Sequence, residues 1–239
     1  MKIKNALAIA GSDPCAGAGL QVDLRTFVSL GVYGMAVPTA ITIQNTKGVK
    51  GIVPLPAGSV RKQLKTLLED VKIDALKTGM LLTKENVLAV EETVKKCKIK
   101  KFVVDPIIKS STGVELLKKN SVLLLKKRLF PLALIITPNI NEAEALTGIK
   151  IKDEKDVRLA AKILYQMGPR YVLIKGGHFE GDADDVLYDG RGFRVYKGKR
   201  INGVKLHGAG CVFSAAITAY LAKGMSVEDL AVKYPVIHR

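Results

Sequence analysis

Short apolar runs alternate with stretches of helical periodicity along almost the whole chain. Runs at residues 6–10, 36–42, 75–78, 102–105, 134–137 and 171–175 each stop at polar residues or glycine, as buried strands of a parallel sheet do. Between them, Val60, Leu64, Leu67, Leu68 and Val71 recur at helical spacing, and so do Val157, Ala160, Ala161 and Leu164. Each set is the apolar face of a helix packed on a core. Residues 184–188 and 193–196 flank Gly190-Arg191-Gly192 and predict a β-hairpin at the sheet edge. Phe213, Ala216, Ile217, Tyr220 and Leu221 follow directly on Gly208-Ala209-Gly210 and predict a buried helix. A last helix is expected from Ser226, with Val227, Leu230 and Ala231 on one face and Pro235 as its breaker. The alternation predicts βαβ units and an α/β fold with a mostly parallel sheet. No linker, low-complexity tract or repeat divides the chain, so one domain over residues 1–239 is expected.

Composition narrows the class. A chain of 239 residues that is 48% hydrophobic can fill a core without staples. Cys15, Cys97 and Cys211 are far apart and lack a CxxC or histidine-rich context, so reduced thiols in a cytoplasmic protein are expected rather than zinc or disulfides. No apolar run approaches the roughly 18 residues of a membrane span, so no membrane association is expected. The 38 Lys and Arg against 22 Asp and Glu leave a formal charge of +16, which favours anionic partners. The positive residues are scattered (Lys95-Lys96, Lys100-Lys101, Lys118-Lys119, Lys126-Lys127-Arg128), and aromatics make up only 5% with no Trp. Solvated helix faces explain this pattern better than a nucleic-acid surface, and no nucleic-acid partner is expected.

Several motifs carry candidate chemistry. Gly208-Ala209-Gly210-Cys211 opens a helix, where converging N–H groups and the positive end of the dipole suit a phosphate or oxyanion; a tight turn packed on the sheet explains the same residues. There is no Gly-x4-Gly-Lys-Ser/Thr phosphate loop, and Gly17-Ala18-Gly19 lacks the third glycine of a dinucleotide fingerprint. Gly11, Gly17 and Gly19 follow the first strand, at the edge where open α/β sheets bind ligands. Asp105 ends one strand and Glu142 follows the next. Two such carboxylates can hold Mg²⁺ through its waters, while Glu142 alone also reads as helix N-terminal charge placement. Gln44 offers donors and an acceptor able to pair with an amino group beside a ring nitrogen, or it is an ordinary strand-end residue. Met80 reads more often as core. Cys211 at a helix N-terminus is expected to be shifted towards thiolate, against the plain alternative of an inert buried cysteine.

Together these segments resemble the hydroxymethylpyrimidine and hydroxymethylpyrimidine phosphate kinases of thiamine biosynthesis, in the ribokinase-like superfamily. The resemblance is carried in order by Ala8-Ile9-Ala10-Gly11-Ser12-Asp13-Pro14, Gly17-Ala18-Gly19-Leu20-Gln21-Val22-Asp23-Leu24, Gln44-Asn45-Thr46, Lys77-Thr78-Gly79-Met80-Leu81, Val104-Asp105-Pro106, Thr137-Pro138-Asn139, Lys175-Gly176-Gly177-His178 and His207-Gly208-Ala209-Gly210-Cys211. It implies a ribokinase-like three-layer α/β/α sandwich, ATP and Mg²⁺ as cofactors, and 4-amino-5-hydroxymethyl-2-methylpyrimidine or its monophosphate as acceptor. It further implies Gln44, Gly11, Asp23 and Met80 around the pyrimidine, Asp105 and Glu142 on the metal, and Asn139, Lys175, Gly208 and Gly210 on the nucleotide. Gly208, Ala209, Gly210, Lys175 and Cys211 then serve catalysis, Cys211 standing where the wider superfamily carries an aspartate base. Pyridoxal or pyridoxine kinase on the same fold is the neighbouring alternative; a non-catalytic basic ligand- or nucleic-acid-binding protein is the remote one. The chain departs from the family at Cys15-Ala16-Gly17, where Ser-Gly-Gly is common, at Ala209, where Thr is, and at Lys205-Leu206 in place of Asn-Thr. It also stops where family chains continue, so an apolar face covered in a homodimer or higher homo-oligomer is expected.

Overall fold

A computed structural model describes residues 3–110, 112–176, 184–197 and 208–233. Nine strands form one sheet in the order β3-β2-β1-β4-β5-β6-β7-β8-β9. They are β1 (Lys4–Ser12), β2 (Val32–Asn45), β3 (Gly48–Pro54), β4 (Ala75–Thr78), β5 (Phe102–Val104), β6 (Ile135–Ile136), β7 (Tyr171–Ile174), β8 (Asp185–Tyr188) and β9 (Phe193–Tyr196). β2, β1, β4, β5, β6 and β7 are parallel, whereas β3 and the β8–β9 hairpin pair antiparallel at the two ends.

The helices are α1 (Gly19–Ser29), α2 (Ala57–Asp70), α3 (Lys84–Lys96), α4 (Lys119–Leu124), α5 (Ile140–Thr147), α6 (Glu154–Tyr165), α7 (Ala209–Ala222) and α8 (Val227–Lys233). Alternation along the strands sorts them into two layers. Leu7, Ile9, Leu76, Phe102, Val104 and Ile136 point to a core shared with α2, α3, α5 and α6. Ala6, Ala8, Ala10, Ala75, Val103 and Ile135 point to the other, shared with α1, α7 and α8. The small alanines on that second face let α1 and α7 lie close to the sheet, and α7, covered on all sides, is apolar almost throughout. The result is the expected three-layer α/β/α arrangement with an edge hairpin.

The predicted strands are all present, with shifted ends. β2 is much longer than residues 36–42, and β5 stops one residue before Asp105. β3 escaped prediction because Gly48, Gly51, Lys50 and Pro54 obscure its pattern. α8 follows directly on Ser226, whose hydroxyl accepts from the Asp229 N–H at 3.2 Å; Pro235 lies outside the described residues. Among the described residues no helix is long and apolar enough to cross a membrane.

Strand order places the site. The chain leaves β1 towards β2 and returns to β4 on the other side, which makes the β1/β4 boundary the switch point where open α/β sheets bind ligands beyond their carboxyl ends.

Candidate active site

A cleft opens at this point. It is lined by every predicted site residue except Ala209: Gly11, Asp23, Gln44, Met80, Asp105, Asn139, Glu142, Lys175, Gly208, Gly210 and Cys211. Strand order spreads them across the sheet edge, from Gln44 on β2 to Lys175 beyond β7. Ala209 is the first residue of α7, between two lining glycines.

The two glycine-rich segments meet backbone to backbone. Gly208 caps α7 with φ 85°, and a Cβ there would lie 1.8 Å from the Gly17 carbonyl oxygen. Gly19 has φ 61°, and a Cβ there would lie 2.4 Å from the Gly11 carbonyl oxygen. The tight-turn reading of Gly208 is thus what the packing shows, and that packing brings the α7 N-terminus to the cleft. Asp13 shapes the facing loop, its carboxylate accepting from the N–H groups of Cys15, Gly17 and Ala18 at 2.8, 3.1 and 2.8 Å. Ala16, where the family commonly carries glycine, sits at φ 54°, a strained value for a residue with a Cβ.

A register shift between Ile43 and Gln44 interrupts the β2/β3 ladder where Gln44 lines the cleft; such bulges occur beside sites. Below it, Met80 packs so tightly on Gly11 that a Cβ at that glycine would stand 2.4 Å from the methionine methyl.

At the other end Lys175 Nζ donates to Asp105 Oδ1 at 3.1 Å, and both are buried. Ser214 on α7 donates to Asp105 Oδ2 at 2.9 Å, and Thr137 to Oδ1 at 3.3 Å. Desolvation works against the Lys175 ammonium, but Asp105 and Glu142 outweigh it and hold its pKa above the ordinary value. Glu142 closes a capping box with Asn139: each side chain accepts from the other's N–H, at 2.8 and 2.9 Å. The helix-terminal reading of Glu142 is thus correct, and the same geometry turns it into the cleft. Burial raises Glu142 to about 7, with Lys175 opposing and Asp105 reinforcing the shift. The capping box occupies the Asn139 carboxamide oxygen.

One expectation needs correction. Cys211 is not shifted towards thiolate; burial pushes the thiol up to about 12, although Lys77 and a hydrogen bond from the Gly19 N–H pull the other way. Desolvation outweighs the helix N-terminus. Asp23, which lines the cleft as expected, is also wholly buried in an ion pair with Lys77, Nζ to Oδ1 2.5 Å. His178, Gly177, His207, Lys205 and Leu206 lie outside the described residues.

Comparison with known proteins places this geometry. The profile of the family described as phosphomethylpyrimidine kinase matches residues 13–234. The chain belongs to this family. The kinase is 43% identical over 231 residues to a hydroxymethylpyrimidine/phosphomethylpyrimidine kinase of Bacillus subtilis, covering 96% of this chain and 85% of the relative. It is 45% identical over 224 residues to a thiamine biosynthesis bifunctional protein of Geobacter sulfurreducens, covering 93% of this chain but 46% of that longer protein. Among solved structures, a phosphomethylpyrimidine kinase from Clostridium difficile superposes with a TM-score of 0.86 at 45% identity, covering 99% of this chain and 97% of its own. A Staphylococcus aureus pyridoxal kinase in complex with AMP-PCP and pyridoxal gives 0.89 at 38% identity, covering 98% and 85%. The kinase fold is therefore ribokinase-like, and the chain is a phosphotransferase.

Sequence reasoning missed the kinase's supporting residues Asp13, Lys77, Thr137 and Ser214. A signal existed for two of them: Lys77 interrupts the otherwise uncharged, buried run of β4, and Ser214 the apolar helix α7, and buried polar residues on such elements have partners.

Proposed function

We propose that this kinase transfers the γ-phosphoryl group of ATP to 4-amino-5-hydroxymethyl-2-methylpyrimidine and its monophosphate in thiamine biosynthesis. The observation that carries the reading is the single cleft that joins Gln44, Gly11 and Met80 to Lys175, Asp105, Glu142 and the start of α7. The Gln44 carboxamide pairs with the amino group and adjacent ring nitrogen, and Met80 covers the ring face. The Gly208, Ala209, Gly210 and Cys211 amides hold phosphate oxygens, with Lys175 beside Gly210; a Cβ on that glycine would stand 3.2 Å from Nζ. Asn139 offers its amide nitrogen to the nucleotide. Phosphoryl transfer gains chiefly from such positioning and charge neutralisation.

Asp105 and Glu142 fit Mg²⁺ held through its waters. Both Asp105 oxygens already accept from protein donors, and Glu142 shares the Lys175 ammonium with it, so a hydrated divalent ion at the cleft mouth would offset negative charge there. When bound with the nucleotide, Mg²⁺ supplies charge neutralisation at the phosphates.

The test is product formation: the protein with MgATP and the pyrimidine should yield its mono- and diphosphate, and absence of both would refute the reading. Pyridoxal-type acceptors are the second reading, favoured by the likeness to pyridoxal kinase; the ratio of kcat/KM for the two acceptors decides between them. ATP use and three free cysteines suit the cytoplasm. Exposed Ile41, Ile43 and Val53 on β2 and β3 suit a homodimer, which light scattering would reveal.

A further inference from the structure

β7 ends at Ile174, and its antiparallel pairing with β8 ends there too, opposite Val186. Lys175 and Gly176 therefore leave the sheet without that ladder to set their direction, yet the Lys175 ammonium stands 3.1 Å from Asp105 Oδ1 and beside Gly210. Two bonds fix this exit. The Lys175 N–H donates to the Pro138 carbonyl at 2.8 Å, and the Gly176 N–H donates to Asp185 Oδ1 at 2.8 Å. Asp185, the first residue of β8, is only 5% exposed. Gly176 admits no side chain, because a Cβ there would stand 2.0 Å from the Asp184 carbonyl oxygen. The two peptides that flank the Lys175 Cα are thus each anchored, one to Pro138 and one to Asp185. The acids that hold the lysine ammonium are Asp105 and Glu142, whereas Asp185 meets this segment at the Gly176 N–H. A buried carboxylate is costly unless it is hydrogen-bonded, and here its bond goes to the backbone next to the cleft lysine.

We propose that Asp185 is a positioning residue of the phosphoryl transfer: by accepting from the Gly176 N–H it fixes the backbone from which Lys175 reaches the nucleotide phosphates. The inference rests on the nucleotide role given to Lys175 in the kinase reading above. A lysine stem is long and has many rotamers, so an ammonium aimed at one spot requires a fixed root as well as acids at its tip. Misplacing a binding group by about 1 Å can cost about 100-fold in rate. Asp185 exchanges no proton in this role. What counts is the acceptor at Oδ1, which a carboxamide oxygen reproduces and a methyl group does not.

The test is a double-mutant cycle with two readouts: ATP affinity by calorimetry with Mg²⁺, and kcat on whichever acceptor, pyrimidine or pyridoxal-type, is turned over. The variants are Asp185→Asn, Asp185→Ala, Lys175→Met and Asp185→Ala/Lys175→Met. Asp185→Ala should weaken ATP binding by about tenfold and lower kcat by about 10- to 100-fold, with KM for the acceptor within about twofold of the wild type. Asp185→Asn should recover most of that loss, because its carboxamide oxygen can still accept from Gly176. In the Lys175→Met background, Asp185→Ala should change neither readout by more than about threefold, since no ammonium remains to be placed. A purely structural residue would cost the same in both backgrounds. Equal losses in the two backgrounds, an Asp185→Asn as impaired as Asp185→Ala, or an Asp185→Ala with wild-type affinity and kcat would each overturn the proposal. So would an Asp185→Ala that shows no cooperative melting, which assigns the carboxylate to stability. A wild type that turns over neither acceptor refutes the acceptor reading alone, and the ATP affinities then decide the role of Asp185 by themselves.

Discussion

Glu142→Gln removes one of the two acids that share Lys175, and its effect on stability follows from where Glu142 sits. In the folded protein without a cation, burial and Asp105 lift its pKa from 4.5 to about 7 against the pull of Lys175. The folded state therefore binds this proton more tightly than the unfolded chain. The associated stability is fully present below about 4.5 and is lost as pH rises through about 7. At 1.36 kcal/mol per pH unit, the loss by pH 8 amounts to about 3 kcal/mol. Glutamine is neutral at every pH, and its Oε1 can still accept from the Asn139 N–H of the capping box, so the variant escapes the loss. For a chain of this size 1 kcal/mol moves Tm by about 2–4 °C. Thermal melting without nucleotide should then give nearly equal Tm values at pH 5 and a variant about 6–12 °C more stable at pH 8. Mg²⁺ should narrow the gap at pH 8 by stabilising the wild type more than the variant. A pH-independent offset, or a variant that melts below the wild type at pH 8, would show that Glu142 does not carry the charge surplus described here.

Gly208→Ala forces a methyl group to within 1.8 Å of the Gly17 carbonyl at a residue with φ 85°, so the two loops must part; turnover should fall at least about 100-fold, while circular dichroism shows a folded protein. Lys175→Met leaves Asp105 and Glu142 without the ammonium they share; chemical denaturation should register a loss of about 3–5 kcal/mol, partly restored by Mg²⁺. Gln44→Ala should raise KM for the pyrimidine by about tenfold or more with little change in KM for ATP, because only the ring loses a hydrogen-bonding partner; an unchanged acceptor KM would remove Gln44 from recognition.

What the sequence determined by itself was everything that depends on periodicity and local chemistry. The six apolar runs became parallel strands because burial on both faces demands continuous apolar side chains, and Gly190-Arg191-Gly192 turned the edge hairpin because its neighbours alternate. The candidate cleft was legible too: Gly11, Gln44, Met80, Asp105, Glu142, Lys175 and Gly208 stand at strand or helix ends, and an α/β sheet brings those ends to one edge. Local pattern failed for β3, whose glycines and proline read as loop until β2 supplies its hydrogen bonds. Tertiary structure alone decided the electrostatics. The helix N-terminus argued for a Cys211 thiolate, but how far a thiol is desolvated depends on what α1 and the sheet stack around it, and here burial wins. Likewise Asp23 and Lys77 are 54 positions apart. Their union under α7 exists only because small alanines on one sheet face let α1 and α7 close over them, a long-range packing outcome that no spacing along the chain encodes.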